Sequence, residues 1–86
     1  MTRLNRTRKA LEAYDRTEPE RAALWEAAET NSDIYAAQAK DTEALNEVRE
    51  AFAEDTKDVN SRDRAFLVGI SDLRWFVERD AERAKA

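Results

Sequence analysis

The 86-residue chain contains no cysteine and no histidine, and only one glycine and one proline. Without cysteine there can be no disulfide frame and no thiolate metal site, and without histidine the commonest general base and metal ligand is missing. Any catalysis would have to run on carboxylates or hydroxyls. The expectation is therefore a chain that is not an enzyme, with no cofactor and no metal site. The scarcity of glycine and proline excludes an all-β design, which needs turn residues every few positions, and favours helices joined by short polar connections. No apolar run approaches the roughly 18 residues that cross a bilayer. The opening "MTRLNRTRKA" has no apolar stretch of the kind a secretory signal carries. No membrane contact is expected, and the expected location is the cytoplasm of a bacterial host cell.

What is present is charge. Charged residues make up 40 % of the chain and its mean hydropathy is -0.87. The apolar residues are periodic rather than scattered, which separates a folded protein with a charged surface from a disordered one. Eleven arginines stand against four lysines, a bias that fits a high-GC bacterial or phage genome. The length suits one domain over residues 1–86. A single core of that size supplies only about 3–5 kcal/mol, so a homodimer is expected to add stability.

The pattern predicts an all-α three- or four-helix bundle. A first helix over 2–16, capped by Thr2, places Leu4, Thr7, Leu11 and Tyr14 on one face. In "TEPE" Thr17 and Glu20 have capping-box spacing with Pro19 in the first turn, so a second helix is expected over 18–29, burying Leu24, Trp25 and Ala28. The "TNSD" stretch at 30–33 reads as a turn before a third helix over 33–57. Its stripe is Ile34, Ala37, Ala44, Leu45, Val48, Ala51 and Phe52. Asp41 interrupts that stripe and "KDTE" resembles a helix start, so a break near 41 is expected. A last helix over 62–84, capped by Asn60 or Ser61, puts Phe66, Ile70, Leu73, Val77, Ala81 and Ala84 in one arc, flanked by Leu67 and Phe76.

Two features point to a partner surface. On the last helix Val68 and Trp75, seven residues apart, fall opposite the core arc together with Arg79. Tryptophan and arginine are among the residues most enriched at interface hot spots, and here they share one face. Such a face is either buried within the chain, used by a partner or a second copy, or simply exposed. On the third helix Glu43, Glu47, Glu50 and Glu54 form an acidic row opposite the apolar stripe, a docking strip for a basic surface or a solvated face. The charge is lopsided: residues 1–16 carry a net +3, residues 17–58 a net -8 and the remainder +1. Arg3, Arg6, Arg8 and Lys9 could track phosphates, which makes a nucleic-acid-binding bundle one alternative. Docking of the basic helix on the acidic one competes with it.

A second alternative rests on "EAAE" at 26–29 and "EVRE" at 47–50, separated by seventeen residues. The pairing resembles the carboxylate pattern of all-α nucleotide pyrophosphohydrolases of the MazG type, in which two helices each offer paired acids to magnesium. The resemblance implies Glu26, Glu29, Glu47 and Glu50 converging on a hard cation. Glu50 stands where that pattern has Asp, and the basic residues that follow for phosphate contact are not recognisable. The leading expectation is a protein-interaction module, a small phage or mobile-element accessory. It would inhibit or adapt a larger partner, a nucleic-acid-binding protein being one option, through the acidic row and the Trp/Arg patch.

Overall fold

The computed structural model describes residues 4–58 and 66–85. Three helices and no strand occur among them: α1 (Asn5–Ala27), α2 (Asn31–Asp55) and α3 (Ile70–Lys85). The polar turn chemistry of "TNSD" folds α1 and α2 into an antiparallel hairpin. The Asp33 amide donates to Thr30 Oγ1 at 3.2 Å, and the Asp33 carboxylate accepts from the Thr30 and Glu29 amides at 3.1 Å each. This capping box satisfies the free amides of the new helix reciprocally, so α2 starts at Asn31 rather than at Asp33. The Glu29 amide, then the Thr30 amide and hydroxyl, hold the Asp33 carboxyl below its ordinary value.

The third helix lies across the open end of the hairpin, antiparallel to α1 and parallel to α2. Arg74 grips Asp15 with both terminal nitrogens, the Leu4 amide donates to Asp80 at 3.2 Å, and the Phe52 and Phe76 rings lie 5.3 Å apart. The core sits where the three helices meet. Leu4, Leu11, Val48, Phe52, Ala53 and Leu73 are buried there, and Ala10, Tyr14, Leu45, Val68, Ile70 and Val77 pack on them. The first turn of α1 has no cap from its own side chains. Its amides instead donate to acids from the other helices, Leu4 to Asp80 and the fully buried Thr7 to Asp55. Negative charge at that end also suits the helix dipole.

Further boundaries differ from the sequence reading. The expected break between 16 and 18 does not occur, because Pro19 is accommodated inside α1. Thr17 does not cap; its hydroxyl donates to the Tyr14 carbonyl at 2.9 Å, and that carbonyl also accepts from Arg21 at 2.8 Å. Nor does α2 break at Asp41, whose carboxylate turns across to α1. It accepts from Arg21 Nη1 at 3.0 Å and from the Trp25 indole at 2.7 Å, leaving its own backbone helical. The last helix begins at Ile70, not 62, with the Gly69 carbonyl accepting from the Leu73 amide. Phe66 and Leu67 therefore lie off the helix and are exposed rather than part of a core arc. The second helix ends at Asp55 rather than 57, and the expected caps at Thr2, Asn60 and Ser61 lie outside the described residues.

Beyond α3 the hairpin is two helices thick. Leu24, Trp25, Ile34 and Tyr35 are exposed there, so the expected burial of Leu24 and Trp25 is not found. Alanine supplies much of this contact, with Ala37 fully buried, and alanine offers little apolar area to bury.

Candidate functional site

A groove of about 380 Å³ runs along the hairpin between α1 and α2. Ala13, Tyr14, Thr17, Glu20, Arg21 and Leu24 line it from α1, and Lys40, Glu43, Ala44 and Glu47 from α2. None of these belongs to α3. On α2, Glu47 is two positions from Arg49, which donates to the Val68 carbonyl ahead of α3. At about 100° per residue that is about 200° around the helix. On α1, Ala13 stands in the same relation to Asp15, the partner of Arg74. The groove thus extends past α3, which approaches it at Tyr14, where the Arg74 guanidinium lies 5.9 Å from the ring.

Small residues make the groove possible. Ala13 and Ala44 leave space between the backbones, and Tyr14 and Leu24 give that space apolar walls. Arg21 is turned inward, with its guanidinium 4.0 Å above the Tyr14 ring and its side chain about one-tenth exposed. Its three hydrogen bonds to Thr17, Tyr14 and Asp41 satisfy the donors it buries. The Trp25 indole first, and then Arg21, keep the Asp41 carboxyl below its ordinary value. The rim is acidic, with Glu20 on one side and Glu43 and Glu47 on the other. Lys40, 3.7 Å from Glu43, is the one outward base.

The four glutamates of the expected docking strip divide between two places. Glu43 and Glu47 edge this groove, whereas Glu50 and Glu54 border a separate hollow of about 330 Å³ with Ala53 and Phe66. Glu54 lies 3.6 Å from Arg6 and 3.4 Å from Lys57, so part of its charge is met within the chain. Among the described residues no ion pair forms at Glu47 or Glu50.

The expected Val68, Trp75 and Arg79 patch is also divided. Val68 lies in the segment before α3 and packs on the core, because α3 starts two residues after it. Trp75 is 53 % exposed on the outer face of α3. Its ring stands edge-on to Phe76 at 5.1 Å, with the Arg79 guanidinium 5.4 Å away. Sequence reasoning missed Phe76 as a member of this surface and Glu20 as a rim residue. Phe76 directly follows Trp75, and the helical step from Glu20 to Leu24 was readable in advance.

The basic N-terminal residues point outward only in part. Arg6 faces Glu54, and Arg8 donates to Asn5 at 2.9 Å; Arg3 lies outside the described residues. The pyrophosphohydrolase-like acids are not brought together. Glu29 stands at the hairpin turn, whereas Glu47 is sixteen residues along α2, about 24 Å at 1.5 Å per residue. Among the described residues no group of three or more acids is placed to hold a metal ion, and no helix is long and apolar enough to cross a membrane. Comparison of the chain with protein-family models, curated proteins and solved structures finds no match.

Proposed function

We propose that this chain is a non-catalytic interaction module whose acidic groove holds a basic, helical segment of a partner protein. The observation that carries the reading is an apolar trough between α1 and α2 edged by Glu20, Glu43 and Glu47. An amphipathic helix laid in such a trough would bury its apolar face on Tyr14 and Leu24 and set lysines or arginines against the rim. The net charge of -8 over residues 17–58 would speed encounter with a basic partner and reject acidic ones. The arginine-rich composition supports a small phage or mobile-element accessory that inhibits or adapts a larger basic protein, such as a nucleic-acid-binding one. Against the alternative of direct nucleic-acid binding, Arg6 is already opposed by Glu54.

The test uses a designed amphipathic helix with an alanine and leucine face and lysine flanks, beside a scrambled peptide of the same composition. Backbone amide shifts at Ala13, Thr17 and Ala44 should move with the first peptide and not the second. Binding should weaken as salt rises, since exposed charge pairs are screened over about 10 Å at 0.1 M salt. Glu20→Gln, Glu43→Gln and Glu47→Gln together should weaken it further without loss of helicity. Equal response to both peptides, or shifts only away from the groove, would refute the reading.

A further inference from the structure

Independently of the groove, the outer face of α3 carries a pattern that matches itself. Trp75 and Phe76 present adjoining rings, 53 % and 38 % exposed. Asp72 lies three positions before this pair and Arg79 three positions after it. Seven residues are about two helical turns, so Asp72 and Arg79 share one side of the helix with the rings between them. We infer that this face docks on a second copy of the chain. The two α3 helices run antiparallel about a twofold axis between Trp75 and Phe76, and Asp72 of each copy meets Arg79 of the other.

The charges select both the occupant and its direction. A twofold axis at that point exchanges 72 with 79 and 75 with 76, so each acid meets a base and each indole meets a phenyl ring. A parallel pair would set Asp72 on Asp72 and Arg79 on Arg79, which is repulsive. The antiparallel register also sets no acid of α3 opposite an acid of the other copy. Both partners are available within each copy. Among the described residues Asp72 makes no ion pair, and Arg79 has only the exposed Glu82 at 3.6 Å and the Trp75 ring. Leu67, 84 % exposed in the turn three residues ahead of α3, extends the apolar area the second copy would cover. A chain whose α3 has Leu73 as its one fully enclosed side chain would gain stability from that cover.

Charge exchange tests the register. The wild-type chain should sediment as a dimer at concentrations up to about 0.2 mM. Asp72→Arg and Arg79→Asp should each weaken the dimer at least about tenfold while circular dichroism stays unchanged. Mixing these two variants should restore dimer mass, because each then supplies the charge the other lacks, and the double variant D72R/R79D should dimerise alone. A monomeric wild type throughout that range would overturn the inference. So would a dimer indifferent to the single changes, or single variants that weaken it but are not rescued by mixing.

Discussion

Removing the Asp55 carboxylate should cost this protein a large share of its stability, although the residue is an acid at the end of a helix. The Thr7 amide and hydroxyl each donate to Asp55 Oδ2 at 2.8 Å, and Thr7 has no exposed surface. In Asp55→Ala both donors stay buried with no acceptor. Loss of an N-terminal cap costs about 0.5–2 kcal/mol, and an unsatisfied buried hydroxyl about 1–3 kcal/mol. Against this, an acid at the last residue of α2 opposes the helix dipole, and its removal returns about 0.3–1 kcal/mol. The net expectation is a loss of about 2–3 kcal/mol, from a total of about 4–13 kcal/mol for a chain of this length. With a urea slope of about 1 kcal/mol per molar, the midpoint should fall by about 2–3 M. Circular dichroism and tryptophan fluorescence should report one coincident transition. Asp55→Asn, which keeps an acceptor oxygen, should lose less, and adding Thr7→Val to Asp55→Ala should recover part of the loss by removing the stranded hydroxyl. Glu50→Ala, an exposed acid on the same helix, should stay within about 0.5 kcal/mol of wild type. If Asp55→Ala is no more harmful than Glu50→Ala, the cap across the helices does not carry the role assigned to it.

Two further outcomes follow from the packing and the charges. Leu73→Ala should destabilise by about 2–5 kcal/mol because it opens a cavity where all three helices meet, whereas Leu67→Ala, largely exposed, should change stability by less than about 0.5 kcal/mol, both read by urea titration. Asp15, held down by Arg74, and Asp41, held down by Trp25 and Arg21, have folded pKa values below the ordinary one. The stability they add is therefore present above the ordinary aspartate range of about 3.9 and is lost as pH falls through their lowered values. The urea midpoint should be level from about pH 7 to 5 and decline below about pH 4, less steeply in Asp41→Asn than in wild type.

The helical class, the turn at 30–33 and the core positions Leu11, Val48, Phe52 and Leu73 were legible in the sequence because each rests on local periodicity or local turn chemistry. The helix breaks expected at 17 and 41 were misread for one shared reason. Thr17 and Asp41 are both good caps in isolation, and a single sequence cannot tell a side chain that caps a new helix from one that bonds to neighbours along or across an unbroken one. Here Thr17 accepts from Arg21, and Asp41 reaches both Arg21 and Trp25. The start of α3 was readable and was passed over. Gly69, the one glycine of the chain, stands directly before it, and glycine is a favoured residue at that position. The groove could not be read, since it depends on how Ala13 and Ala44 face each other across the hairpin. The acidic row was visible as a row, but its division between a groove and a hollow is a property of the packing.

The polar contacts between α1 and α2 also explain how an alanine-rich hairpin keeps one alignment. Alanines at neighbouring turns are nearly interchangeable, so sliding one helix past the other by a turn would change the apolar contact little. Thr7 with Asp55 and Arg21 with Asp41 are two contacts in the same antiparallel register, fourteen residues apart along each helix, about 21 Å at 1.5 Å per residue. A slip of one turn breaks both at once. It strands the fully enclosed Thr7 and the nearly enclosed Arg21 side chain, and each would then carry an unmet desolvation cost. Apolar residues in place of Arg21 and Asp41 could hold the helices together as strongly, but they would not penalise the shifted pairings. The clasp at Arg21 forms one wall of the groove and fixes Tyr14 beneath its guanidinium. The interaction that sets the alignment of the hairpin therefore also sets the shape of the surface offered to a partner.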